Sequence, residues 1–304
     1  MPTSLTELFS PACHLCPRRC GAARDEGARG VCGANDTLRV ARAALHMWEE
    51  PCISGTRGSG AVFFSGCSLR CIFCQNFEIA EGNCAKEISG ERLSEIFLEL
   101  QEQGAANINL VTAAHYVPAV IESLKKAKAQ GMDLPVIYNS SGYERVETVQ
   151  MLEEVVDVWL PDFKYMDSKL AFAYSRAKDY PEVARAAIRE MMKAAGTCAY
   201  DEDGYIQKGV IVRHLILPGH TKNSIAVLDE LYGTYGDDLT ISLMNQYTPL
   251  PQVWNIPDLN RRVTKREYEK VLDHALDLGI TQGFFQEGGT AKESFIPLFD
   301  YEGL

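Results

Sequence analysis

The chain has 304 residues, enough for one large α/β domain and a small appendage. With 46% hydrophobic and 23% charged residues its composition is that of a globular protein, and no run approaches the ~20 apolar residues of a membrane span. A net charge of −11 disfavours non-specific nucleic-acid binding, which needs a basic footprint.

The opening M-P-T-S-L-T-E-L-F-S has no positive n-region and no apolar h-region, so no secretory signal is expected. The ten cysteines then read as metal ligands in a reducing cytoplasm rather than as disulfides. Four of them, Cys13, Cys16, Cys20 and Cys32, crowd the first 33 residues as C-x2-C-x3-C-x11-C among glycines and arginines. Two metals suit four thiolates: a closed tetrahedral zinc site, or a second iron–sulfur cluster that adds an electron path or a substrate anchor. Four free or buried thiols are the alternative. Arg18, Arg19, Arg24 and Arg29 offset thiolate charge in either metal site.

Leu38–Ala44 reads as a short strand, and Ile53–Gly60 as a glycine-rich connector without dinucleotide-loop spacing. Residues 1–60 are therefore expected as an N-terminal cysteine-rich module with its connector, and 61–304 as the main domain. The run F-F-S-G-C-S-L-R-C-I-F-C-Q-N follows a first apolar strand and carries Cys67, Cys71 and Cys74. Three thiols at C-x3-C-x2-C spacing reach three corners of a cubane, and no fourth follows at short spacing. A [4Fe–4S] cluster held this way keeps one iron open for a ligand. A zinc or buried-thiol site is the alternative.

Beyond it the chain alternates. Further strands are expected at 107–112, 135–139, 155–160, 210–217, 239–244 and 283–286, short and apolar on both faces as in a parallel sheet. Helices are expected at 92–103, 117–130, 180–195, 223–232 and from the Thr264–Glu267 capping box through 278. This order points to a partial parallel (β/α)6-type barrel, with a doubly wound open sheet as the alternative. Its chemistry belongs at the C-terminal ends of the strands, where the Cys67–Cys74 loop emerges.

The three-cysteine run, with Phe73 before the last cysteine, resembles the signature of the radical S-adenosylmethionine (SAM) superfamily. Within it the strings H-L-C-P-R-R-C-G, E-E-P-C-I-S-G, P-D-F-K-Y, L-I-L-P-G-H and F-F-Q-E-G-G resemble the pyruvate formate-lyase activating-enzyme group and its PflX-like members. The resemblance implies SAM on the open iron, reductive cleavage to a 5′-deoxyadenosyl radical, and hydrogen abstraction from a substrate. That substrate is a backbone glycine of a glycyl-radical enzyme, another peptide or a small molecule. It also implies reduced flavodoxin or ferredoxin as electron donor. A non-catalytic iron–sulfur electron carrier is the reading from a different class.

As SAM-site residues the resemblance implies Phe73, Asn139, Asp162 and His214. Asn139 stands where the group has Asp, one charge fewer for a monovalent cation. V-T-A-A-H-Y replaces the group's G-G-E segment, which leaves Thr112 and His115 as candidates. The plain alternatives are a salt-bridge carboxylate for Asp162 and a satisfied core histidine for His214. Asn245–Tyr247 is a candidate adenine contact, and Glu287 a candidate substrate contact.

Overall fold

The structure, a computed structural model, describes residues 12–286 and 297–304, so the Glu287 candidate lies outside the described residues. After an irregular cysteine-bearing segment the chain runs β1 (Arg39–His46), α1 (Pro51–Ser54), β2 (Ser59–Phe64), α2 (Phe77–Ala80), β3 (Lys86–Glu87), α3 (Gly90–Glu102), β4 (Ile108–Val111) and α4 (Val117–Ala129). It continues through β5 (Val136–Ser140), α5 (Val146–Leu152), β6 (Val158–Pro161), α6 (Ser168–Ser175), α7 (Tyr180–Ala195), β7 (Ala199–Tyr200), β8 (Ile206–Leu215) and α8 (Thr221–Tyr235). The last elements are β9 (Thr240–Met244), α9 (Lys265–Asp277) and β10 (Gly283–Phe285).

The strands form one sheet in the order β10-β9-β8-β6-β5-β4-β2-β1-β3, with β7 beside β8. From β2 to β10 every neighbour on this path is parallel, while β1 pairs antiparallel with both β2 and β3. Parallel neighbours need crossovers, and the helices supply them. α3 buries Leu93, Ile96, Phe97 and Leu100 on one face and starts where the Ser89 side chain accepts from the Arg92 amide. α9 opens on the capping box of Thr264 and Glu267.

Strand alternation separates two cores. Tyr138 and Trp159 face the helices, their rings 5.7 Å apart. Ile137, Val158, Leu160 and Ile211 face the other way and pack on Cys52 and Ile53 of α1. The segment expected as a connector therefore begins as a helical plug filling the concave side of the sheet. The buried Asn107 secures it, donating to the Ile53 carbonyl at 2.8 Å. A plugged concave face on an open strand order is a partial barrel. β1 belongs to this sheet, so the barrel's strands begin before residue 60. The C-terminal residues return to its edge, where the Ala43 amide donates to the Glu302 carbonyl at 2.9 Å.

Close packing at the open end depends on Gly142, at φ +71° after β5. A Cβ there would stand 2.1 Å from the Asp162 carbonyl oxygen. Gly142→Ala is expected to cost at least about 3 kcal/mol, read as a lower denaturant midpoint with an unchanged slope.

Candidate active site

The C-terminal ends of the parallel strands surround a cavity of about 520 Å³. Thr112 after β4, Asn139 and Ser140 on β5, Asp162 after β6, Arg213 on β8, Ser242 on β9 and Gln286 after β10 line it, together with Cys67, Cys71, Phe73 and Cys74 from the loop after β2. The volume falls in the ~300–1,000 Å³ range of small-molecule sites.

The three thiols share this wall with donors aimed at their sulfurs. Ser175 Oγ donates to Cys71 Sγ at 2.9 Å and is itself 2.8 Å from Tyr165 Oη. The Leu69 amide donates to Cys67 Sγ at 3.4 Å. Burial pushes the Cys74 thiol up to about 12 and raises Cys71 as well, so metal has to displace their protons. Among the described residues no three Cys, His, Asp or Glu side chains are grouped as one metal ion requires. Three thiols from one loop can hold three corners of a cubane.

Across from them, Lys164 Nζ bonds Asp162 Oδ2. Burial alone would lower the Lys164 pKa, but Asp162 and then Cys71 hold it well above the ordinary lysine value. A fixed positive charge thus stands beside the thiols. Beneath it is a polar floor. Arg213 Nε donates to Glu50 Oε1 at 2.8 Å, its Nη2 bonds both Glu49 and Glu50, and Asn109 Nδ2 donates to Glu49 Oε1 at 3.0 Å. Burial opposes charge on Arg213, and the two carboxylates restore it.

Of the residues singled out from the sequence, Cys67, Cys71, Cys74, Phe73, Asn139, Asp162, Thr112, Gln246 and Tyr247 line the cavity. Thr112 takes φ +61°, a left-handed conformation rare for a β-branched residue, as the chain turns into the site. His214 is a correction. Arg213 and Leu215 face the cavity, so the alternation of β8 sends His214 to the opposite face. There it is buried, with Nδ1 2.7 Å from the Phe163 carbonyl. His115 also lies outside the cavity, bonded through Nε2 to the Ser65 carbonyl at 2.8 Å. Missed from the sequence were Glu49, Glu50, Arg213 and Lys164. A charge inside a buried strand, as Arg213 is, itself signals a buried partner.

Residues 54–177, which contain all three thiols, match the family model described as 4Fe-4S single cluster domain. The chain is 29% identical over 270 residues to the uncharacterized protein MJ0674 of Methanocaldococcus jannaschii, covering 86% of this chain and 74% of that one. Among solved structures, it is similar to HydG, a maturase of the [FeFe]-hydrogenase, at TM-score 0.49 and 13% identity, over 76% of this chain and 52% of that one. It is similar to Streptococcus suis SuiB bound to precursor peptide SuiA at TM-score 0.48 and 12% identity, over 74% and 47%. A domain of pyruvate-formate lyase-activating enzyme from Bacteroides vulgatus matches at TM-score 0.40 and 17% identity, over 57% and 92%. The chain spans about half the length of SuiB and HydG. No described helix is long and apolar enough to cross a membrane.

Burial holds the His214 pKa down at about 4, against the opposing pull of the Phe163 carbonyl. In the unfolded chain the ring takes its proton near pH 6.5, so between these values acid favours unfolding. The loss at pH 5 is roughly 2 kcal/mol. His214→Gln is expected to lose that much less stability than wild type between pH 7 and 5 in denaturant unfolding; equal losses would contradict the buried neutral ring.

Arg213→Met leaves two buried carboxylates side by side. A cost of about 3–5 kcal/mol is expected near neutral pH, shrinking towards pH 5 as the carboxyls protonate. Denaturant midpoints at the two pH values check both size and sign.

Proposed function

We propose that this protein is a radical SAM enzyme. The observation that carries the reading is the joining of a three-thiol loop, with no fourth cysteine at short spacing, to a cavity at the C-terminal ends of parallel strands. Cys67, Cys71 and Cys74 would hold the [4Fe–4S] cluster. The chemistry such a cluster supplies is one electron to the sulfonium of SAM on its open iron, releasing methionine and a 5′-deoxyadenosyl radical.

The chain's own residues bind, orient and shield. Lys164 presents a fixed positive charge to the SAM carboxylate, and Asp162 accepts from the SAM amino group while holding Lys164 in place. Phe73 and Tyr247, with rings 6.3 Å apart, give the same wall an apolar face. Asn139 and Ser140 add neutral polar groups. A reactive radical needs a site that excludes bulk water, and the plug below with helices around the sheet supplies one. An electron carrier has no use for a 520 Å³ cavity beside its cluster, which favours an enzyme over that alternative.

The finer reading follows the sequence resemblance to the pyruvate formate-lyase activating-enzyme group and its PflX-like members. In it the hydrogen comes from a backbone glycine of a partner enzyme, and reduced flavodoxin or ferredoxin supplies the electron. A glycyl-radical signal in candidate partners, read by electron paramagnetic resonance, separates this substrate from a small molecule or another peptide.

The test of the class is anaerobic. Reconstituted and reduced protein with SAM is expected to yield 5′-deoxyadenosine and methionine. The Cys67→Ala/Cys71→Ala/Cys74→Ala variant should lose about four irons and all cleavage. Lys164→Met should keep its iron and bind SAM roughly 10- to 100-fold more weakly. A wild type that carries the cluster and leaves SAM intact would return the protein to the electron carriers.

A further inference from the structure

The N-terminal cysteines are not a separate appendage. Cys13, Cys16 and Cys32 are buried and Cys20 is half-buried, and Cys32 lies within electrostatic reach of the other three thiols, a four-thiol centre. Gly30 lies against this centre. A Cβ there would stand 3.1 Å from Cys20 Sγ and 3.5 Å from Cys32 Sγ, so a side chain would fill the space between those sulfurs. Arg24 is buried beside them, with Nη1 3.8 Å from Cys13 Sγ and Nε without a hydrogen-bond partner. Among the described residues it makes no ion pair with a carboxylate; its other neighbours are the Asn35 carbonyl and the Tyr116 ring. A buried guanidinium needs a negative partner. Four neutral thiols supply none, whereas a cluster held by four thiolates does.

The second observation is where this centre sits. The Cys67 amide donates to the Cys32 carbonyl at 3.0 Å, so a ligand of one thiol set is hydrogen-bonded through the backbone to a ligand of the other. Arg18 reinforces the contact, donating to the Ser68 carbonyl at 2.8 Å and to the Ser175 carbonyl at 2.7 Å. Ser175 is the residue whose hydroxyl bonds Cys71 Sγ. The approach requires Gly66, at φ +102°, because a Cβ there would meet the Cys32 carbonyl oxygen at 2.7 Å.

From this juxtaposition we propose that Cys13, Cys16, Cys20 and Cys32 hold a second [4Fe–4S] cluster, through which electrons reach the cluster at Cys67, Cys71 and Cys74. The inference rests on the cluster reading of the Cys67 loop. A mononuclear zinc site is the competing occupant of four thiolates, and the metal count below separates the two. Four protein ligands leave no iron open, so this cluster passes electrons and binds no substrate.

The step is one electron. A reduced one-electron donor protein is oxidised as the N-terminal cluster goes from 2+ to 1+. That cluster returns to 2+ as the Cys67 cluster goes from 2+ to 1+, with no proton or bond exchanged. The path from Cys32 to Cys67 is covalent except for the one 3.0 Å hydrogen bond. Cys20 is half-buried beside exposed Arg19, and the same segment exposes Asp25, Glu26 and Arg29.

The experiment is iron, sulfide and zinc per chain with electron paramagnetic resonance, after anaerobic reconstitution with ferrous iron and sulfide. The samples are wild type, the Cys67→Ala/Cys71→Ala/Cys74→Ala variant and Cys20→Ser. About eight irons are expected in wild type and about four in the triple variant. Fully reduced wild type should show two spins whose relaxation is mutually enhanced. The triple variant should show one uncoupled spin, a readout that needs no activity. In Cys20→Ser the Cys67 cluster should remain, and its reduction by flavodoxin hydroquinone should slow.

About one zinc and four irons, with the zinc surviving in the triple variant, would overturn the second cluster and leave the proposed function standing. Four irons without zinc, all lost in the triple variant, would do the same. Two clusters without magnetic coupling would overturn the relay. Iron unchanged by the triple substitution would overturn the relay together with the proposed function.

Discussion

A buried arginine held between two carboxylates governs this structure. Arg213 comes from β8, and Glu49 and Glu50 come from the segment ahead of the first parallel strand. The sheet's strand order is open, so backbone pairing does not join these two regions. The ion cluster crosses the concave side and does so directly. Its net worth over a well-packed apolar layer is small, but losing one partner strands the others without water, so the arrangement is retained as a unit.

The interior is layered because of it. Below the ion cluster, α1 packs apolar residues on the inner faces of β5, β6 and β8. Above it the polar groups needed for orientation face an open volume rather than each other. The thiols stand at the top, where burial disfavours the ionised forms of Cys71 and Cys74 and a nearby cation is needed. Lys164 meets that need beside Cys71, as Arg24 does beside Cys13. Each thiol set has a positive side chain beside it, Lys164 half-buried and Arg24 buried, which favours the ionised thiols.

The strands were legible because short runs apolar on both faces, too short for helices, suit buried parallel strands and little else. The longer helices were legible from period and caps; Tyr180–Ala195 agrees to the residue, and Thr264–Glu267 caps as expected. The failures have physical reasons. α1 has four residues, too few to show a period, and the nearby glycines suggested a connector. For His214 the resemblance implies a SAM contact and the strand a core histidine, and a continuously apolar strand does not reveal which parity points inward. Arg213 held that information, since its buried charge had to meet the carboxylates of E-E-P-C. The cysteine spacings set both groups of thiols apart in the sequence. Their contact was invisible because it is made by main-chain atoms, which no side-chain pattern encodes.

That backbone contact has a thermodynamic consequence. Besides Cys32 to Cys67, the N-terminal segment is held by the carbonyls of His14, Leu15, Ser68 and Ser175, which accept from Arg145, Thr148 and Arg18. Such bonds fix position more than partner identity, so the spacing of the two thiol sets follows from chain geometry. Metal binding at a thiol site stabilises the fold that assembles it. Where two such sites share a hydrogen bond between ligand residues, ordering one also orders the other. A metal held by the N-terminal set would therefore lower the conformational cost of assembling the Cys67 loop and couple the two sites in folding, with or without electron transfer between them.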